Sequence, residues 1–252
     1  MNRLLRASLF LLTCVFFLPE AHAGEQSRSR ATIAGFESLV LLTGGASADD
    51  VLPMIIGLHY STARPETIAG EFDAIDFPAR VVLPRGNHPR RDGYSWFAGD
   101  YAQLTEAEQT RATLAAMNEI SAFIDAAVKR YPTAGKPVIT GISYGGDLSY
   151  LIAIRRPEQI AAAFPVAARF PVEWQPDANS CGSSCPKVIV MHGAIDAIVP
   201  IEGARAAARR LEQRGFPVEL REYADVGHDF PAAMKADFTK EMAAVFRAEA
   251  EP

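Results

Sequence analysis

Thr140-Gly141-Ile142-Ser143-Tyr144-Gly145-Gly146 is the stretch around which the chain is organised. It contains Gly-x-Ser-x-Gly, the pattern in which a serine sits at the tip of a sharp strand-to-helix corner. Glycines at both ends leave out the Cβ atoms that would keep the two backbones apart there. Five residues with three fixed positions recur by chance, so the flanks carry the weight. Lys136-Pro137-Val138-Ile139 before the motif is a short β-branched run after a Pro/Gly boundary, which predicts a buried strand. Asp147 to Arg156 after it predicts a helix that stops at Pro157. Strand, corner and helix occur in the order the pattern requires. The competing reading is a Gly-rich turn whose serine caps a helix.

Working outward, strand and helix signals alternate. Phe36 to Leu42 is an apolar run ending in Thr43-Gly44-Gly45 and is expected to be an edge strand. Val51 to His59 predicts a central strand beginning after Pro53, Pro65 to Phe72 a short helix, and Arg80 to Pro84 a compact strand. A polar loop is expected from Arg85 to Gly99. Thr105 to Tyr131 has helical apolar spacing and opens on Thr105-Glu106-Ala107-Glu108, a capping-box signature. Strands are expected at Ile160 to Val166, Lys187 to Met191 and Val218 to Tyr223, and helices at Glu202 to Arg214 and Pro231 to Arg247. This alternation predicts an α/β fold, a mostly parallel central sheet with helices on both faces. Ligands in such sheets bind beyond the carboxyl ends of the strands, where Ser143 is expected. The segment between Val166 and Lys187 is too short for a large cap domain.

A chain of 252 residues with 49% hydrophobic content can bury one large core, so one domain is expected over residues 36–252. Residues 1–23 are set apart as a signal peptide: Arg3 and Arg6 make a basic start, Leu9 to Leu18 is apolar, and Ala21-His22-Ala23 offers a cleavage site. An uncleaved anchor is the alternative. Residues 24–35 are polar, rich in Arg and Ser, and expected to be flexible. The protein is therefore expected to be exported, periplasmic or secreted, with no stable membrane anchor after cleavage. Removing Arg3, Arg6 and Glu20 takes the formal charge from 25 − 30 = −5 to 23 − 29 = −6. That mixed, mildly acidic balance gives no support for nucleic-acid binding. Cys181 and Cys185 stand four residues apart, and in an oxidising compartment they are expected to form a local disulfide. A redox pair or half of a metal site are the alternatives, although no second Cys/His pair at zinc-finger spacing accompanies them.

A serine hydroxyl needs a base to take its proton, and the base needs a carboxylate to hold its tautomer. His192-Gly193-Ala194-Ile195-Asp196-Ala197-Ile198-Val199-Pro200 puts Asp196 in a loop after one predicted strand, and Gly227-His228 follows the last one. The order Ser143, Asp196, His228 is that of an α/β-hydrolase. On these three motifs, with weaker support from Leu58-His59 and from Pro84-Arg85-Gly86 leading to Trp96-Phe97, the chain resembles the carboxylesterase/phospholipase type of α/β-hydrolase over about residues 36–247. It is also similar to the dienelactone-hydrolase-like esterases. The resemblance implies Ser143 as nucleophile, His228 as base and Asp196 as its orienting acid, acting on a small-molecule ester with no metal and no cofactor.

For the oxyanion, the resemblance implies the N–H of Tyr144 and a second donor after His59. Many relatives have His-Gly at that point; this chain has His59-Tyr60-Ser61, so Ser61 comes first and Tyr60 second, the latter because prolyl-oligopeptidase-like enzymes use a tyrosine hydroxyl. Asp225 and Asp229 flank His228 but are too near in sequence to support it from behind, and His228 capping a helix is the alternative role. The basic loop Arg85 to Arg91 is a candidate for substrate contact, with a solvated loop as the other reading. Trp96, Phe97 and Trp174 are candidates for an acyl pocket or for plain core. A serine peptidase of the same fold and a silent binding protein remain as other readings.

Overall fold

The computed structural model describes residues 27–250, so the signal-peptide expectation for residues 1–23 lies outside the described residues. In chain order the elements are β1 (Ser27–Ile33), β2 (Phe36–Thr43), β3 (Met54–Leu58), α1 (Pro65–Ala69), β4 (Ala79–Pro84), β5 (His88–Arg90), β6 (Gly93–Ser95), α2 (Glu106–Arg130), β7 (Val138–Ile142) and α3 (Tyr144–Arg155). They continue with β8 (Ala162–Val166), β9 (Lys187–Gly193), α4 (Ile201–Gln213), β10 (Val218–Tyr223) and α5 (Ala232–Ala250). Eight strands form one sheet in the order β1-β2-β4-β3-β7-β8-β9-β10. The β1/β2 and β2/β4 pairs are antiparallel, and every later neighbour is parallel. A mostly parallel sheet with helices on both faces is the α/β-hydrolase fold, and no large cap interrupts it.

The central strands are apolar throughout because both faces are covered. Successive residues divide between two cores: Ile56, Ile139, Val188 and Val190 join one with α2, α3 and α4, whereas Ile55, Val138, Ile189 and Met191 join the other with α5. Phe238 of α5 meets Phe72, Phe164 and Phe230 edge to face on that second side. Ten residues of α3 are buried, from Gly145 to Ile154, so this helix is apolar around most of its circumference. The start of α2 matches the capping-box reading: Glu108 N–H donates to Thr105 Oγ1 at 3.4 Å and Thr105 N–H to Glu108 Oε2 at 2.9 Å.

Two expectations are corrected. Residues 27–33, read as part of a flexible segment, form β1. The turn Ala34-Gly35, with φ of 47° and 85°, closes a hairpin that pairs Ser27–Ile33 with Phe36–Leu42. The pairing is made by backbone groups, which a polar, mostly exposed sequence does not advertise; β1 is thus the sheet edge and β2 lies inside it. The polar loop after Arg85 holds a second hairpin, β5–β6. Cys181 and Cys185 are disulfide-bonded. Asn179 organises this segment, its Oδ1 accepting the Cys181 N–H at 2.8 Å and its Nδ2 donating to Gly215 O at 2.9 Å beyond α4.

Candidate active site

β7 ends at Ile142 and α3 begins at Tyr144, which leaves Ser143 alone at the corner with φ 54° and ψ −119°. A non-glycine residue at positive φ costs energy and persists only where its surroundings fix it. Ser143 N–H donates to Val166 O at 2.9 Å, tying the corner to β8, and Asp147 N–H closes the first helical turn on Ser143 O at 2.8 Å. A Cβ on Gly141 would lie 2.2 Å from Gly145 O, and one on Gly145 would lie 2.2 Å from Leu58 O. Both positions therefore require glycine, and the second places the end of β3 against the start of α3.

β9 delivers Asp196 in the same way. Its Oδ1 accepts N–H groups from Ile198 at 2.9 Å and Val199 at 2.8 Å, and its Oδ2 lies 2.8 Å from His228 Nδ1. An ionised carboxylate only accepts, so Nδ1 carries the proton and Nε2 is left with its lone pair. Burial alone would raise the Asp196 carboxyl; the bonds from Val199, His228 and Ile198 outweigh it and hold the carboxyl below its ordinary range. The two loops touch through the backbone as well. Ile195 N–H donates to Val226 O at 3.1 Å, and a Cβ on Gly193 would meet that same oxygen at 2.2 Å. Asp229, the sequence neighbour of His228, instead accepts the Phe230 N–H at 2.7 Å. His192 is fully buried behind the acid, with Nε2 2.8 Å from Val199 O and 3.5 Å from Asp196 Oδ2.

Ser143 and His228 line one cleft of about 380 Å³, whose walls include Tyr60, Ser61, Glu71 and Phe230. Glu71 is paired with Lys235 at 2.5 Å. Tyr60 and Ser61 thus reach the cleft, and Tyr144 stands at the start of α3, where the first amides of a helix have no partner within it.

The candidate substrate contacts fare differently. Trp96 and Phe97 are 5% and 2% exposed and belong to the core, not to this cleft. Trp96 stacks on His59 with ring centres 4.7 Å apart and donates from Nε1 to His59 O at 2.7 Å. Arg85 is paired with Glu37 and lies over the Tyr94 ring at 4.1 Å, facing a different hollow beside β2 and α1. Its guanidinium found a carboxylate on a neighbouring strand, which a locally basic sequence does not reveal. Trp174 does line a second hollow of about 420 Å³, together with Ala168, Arg169, Phe170, Ile198 and Val199.

Two residues support the corner in roles that the sequence does not assign them. Asp147, 1% exposed in the first turn of α3, accepts from Arg169 N–H at 2.7 Å on Oδ1 and from Arg169 Nε at 3.0 Å and Nη2 at 2.7 Å on Oδ2. Burial works against charge on Asp147 and pushes its carboxyl up, while the same contact pushes the Arg169 guanidinium up, which requires a charged partner. Three donors on two oxygens favour the ionised pair, so Asp147 is a carboxylate at neutral pH. The one available signal was a lone acid opening an otherwise apolar helix. The second support is His59, wholly buried: Nδ1 donates to Tyr60 O at 2.7 Å and Nε2 accepts the Gly86 N–H at 2.9 Å. Burial, against the bond to Tyr60, lowers its pKa to about 4, so the ring is neutral and fixed in one tautomer.

Fold and site together define an α/β-hydrolase with a serine at the corner after its central strand. The family model described as phospholipase/carboxylesterase matches residues 75–245, and the chain belongs to that family, whose members act on esters. Solved structures agree in fold. A carboxylesterase from Mesorhizobium loti shares 21% identity at a TM-score of 0.68, the match covering 86% of this chain and 98% of that one. Esterase PE8 also shares 21% identity at 0.68, covering 81% and 99%. A Bacillus cereus carboxylesterase shares 17% at 0.68, covering 84% and 95%.

Proposed function

We propose that the protein is an exported serine esterase in which Ser143 forms an acyl-enzyme. The observation that carries the reading is the His228–Asp196 bond of 2.8 Å, made from Nδ1, in a histidine that shares its cleft with Ser143. With Nδ1 protonated, Nε2 is the free base. It takes the Ser143 Oγ proton as the oxygen adds to the ester carbonyl, and returns it to the departing alcohol as the C–O bond breaks. Water then enters and adds to the acyl carbon as His228 takes its proton; the acyl–Ser143 bond breaks, His228 returns the proton to Ser143 Oγ, and the carboxylic acid leaves. Asp196 remains ionised throughout and stabilises the imidazolium. Charge on the carbonyl oxygen is met by the amides of Tyr144 and Ser61. The export reading is supported by the basic start, the apolar run and Ala21-His22-Ala23.

The test is hydrolysis of a p-nitrophenyl ester series by the mature protein beside Ser143→Ala, with fluorophosphonate labelling of both. Turnover is expected to fall by roughly 10⁴-fold or more in the variant, and labelling to vanish. Turnover that survives without Ser143 refutes the assignment. Expression of the full chain with N-terminal mass analysis tests export, the expected mature start being Gly24.

A further inference from the structure

Ser61 carries two donors, and only its amide has been given a role. Its hydroxyl oxygen is buried with no hydrogen-bond partner among the described residues, and the residue lines the cleft that holds Ser143 and His228. Buried polar atoms are nearly always paired, so an unpaired one in a cleft calls for a ligand atom to complete it. We propose that the Ser61 hydroxyl is a third oxyanion donor, Oγ–H pointing at the carbonyl oxygen as it becomes negative. This rests on Ser143 being the nucleophile. The proton stays on Ser61: a hydrogen bond strengthens as charge develops, and no bond to Oγ forms or breaks.

The surrounding loop is held as such a donor requires. Its start is pressed against the corner, since a Cβ on Gly145 would sit 2.2 Å from Leu58 O and 2.7 Å from His59 O. His59 is clamped on both ring nitrogens and on its carbonyl, by Tyr60 O, Gly86 N–H and Trp96 Nε1. After Ser61 the chain turns through Thr62, at φ 76°, and is stitched to the β5–β6 hairpin: Thr62 N–H donates to Tyr94 O at 2.8 Å and Tyr94 N–H to Ala63 O at 3.0 Å. Ala63 N–H is spent on Tyr60 O at 3.2 Å. The amides of Thr62 and Ala63 are thus spent within the protein, and Ser61 stays in the wall of the cleft. A donor fixed before the reaction requires no reorganisation when the charge appears, which is where most of its catalytic value lies.

Ser61→Ala keeps the amide and removes the hydroxyl. The expected result is a fall in kcat of about 10²-fold with KM within threefold of wild type, and an equal slowing of fluorophosphonate labelling at Ser143. Affinity for a trifluoromethyl ketone, which forms a tetrahedral adduct on Ser143, is expected to fall in parallel. Because Oγ has no partner to lose, the melting temperature should not drop, and Ser61→Thr, which restores a hydroxyl, should recover most of the rate. Unchanged kcat in Ser61→Ala overturns the proposal, as does a loss carried by Tyr60→Phe instead. A lowered melting temperature also overturns it, by showing that Oγ has a structural partner. Turnover that persists in Ser143→Ala overturns the underlying reading; Ser143-dependent turnover indifferent to Ser61 sinks this proposal alone.

Discussion

Replacing Arg169 with Met strips Asp147 of its guanidinium while leaving its oxygens in place. Of the three contacts, those from Nε and Nη2 disappear and the one from the Arg169 backbone N–H at 2.7 Å remains. A carboxylate that is 1% exposed then has one donor where it had three. Removing one partner of a buried pair costs about 3–5 kcal/mol, and the surviving amide puts the expected loss near the lower end, about 3 kcal/mol. Against a usual total of roughly 5–15 kcal/mol, that is a large share. The loss also carries a pH signature. Without Arg169, burial raises the folded-state pKa of Asp147 above its unfolded value, so between the two the folded form binds more protons and stability falls as pH rises. Urea unfolding of Arg169→Met should therefore show its smallest deficit at pH 5 and its largest at pH 7.5. Asp147→Asn in the same background should recover much of the pH 7.5 deficit. Since Asp147 N–H closes the turn on Ser143 O, ester turnover should fall with it even where the protein is fully folded. A deficit under 1 kcal/mol that does not change with pH would refute the reasoning, because Asp147 would then not be a buried charge dependent on Arg169.

Asp196→Asn should leave the melting temperature close to wild type and lower kcat by about 10⁴-fold, as the imidazole loses its preferred tautomer; steady-state kinetics on a p-nitrophenyl ester checks both size and direction. His59, at about 4 when folded and near 6.5 when unfolded, takes up protons on unfolding between those values. Its contribution is complete above pH 6.5 and fades toward pH 4, by at most about 3 kcal/mol; His59→Asn should flatten the pH dependence of urea stability over that window relative to wild type. Replacing Cys181 and Cys185 together by Ser opens a loop of four-residue separation, and the expected cost is about 2 kcal/mol by unfolding, with turnover kept at temperatures where the fold persists.

The central sheet was legible because strands covered on both faces must be apolar over their whole length, as Ile55-Ile56 and Val188-Ile189-Val190-Met191 are. Ser143, Asp196 and His228 were legible as types because each lies in the turn or loop after a parallel strand, β7, β9 and β10, so the topology carries all three to the same end of the sheet. Their spacing in three dimensions was not. β1 was missed because Ser27-Arg28-Ser29-Arg30 shows its side chains to solvent and owes its place to backbone pairing with β2. Trp96 was open between an acyl pocket and plain core, because a large aromatic suits either; it is buried in the core and stacks on His59. Asp147 and Arg169 stand 22 residues apart, on a helix and on the loop after β8, and no local pattern links them.

The residues that the sequence left without a role gather at the rim beyond β3, β7 and β8. Among the described residues five non-glycines have positive φ, and three of them, Thr62, Ser143 and Ala167, lie directly after or close beyond the ends of β3, β7 and β8. The same rim holds the buried Asp147, the buried neutral His59 and the unpaired Ser61 hydroxyl. Four of these are unfavourable by themselves and are held by contacts distant in sequence: Val166 for Ser143, Arg169 for Asp147, Gly86 and Trp96 for His59, Tyr94 for Thr62. A sequence pattern records what a segment prefers alone, so it is least informative where the fold holds residues against preference. The β5–β6 hairpin belongs to this framework, because its Tyr94 holds the Thr62–Ala63 backbone. Gly93 of that hairpin would place a Cβ 2.0 Å from Thr62 O, so Gly93→Ala must displace the Thr62–Ala63 backbone and with it the loop that carries Ser61. The physical expectation is a protein whose sheet is intact and whose esterase rate is not.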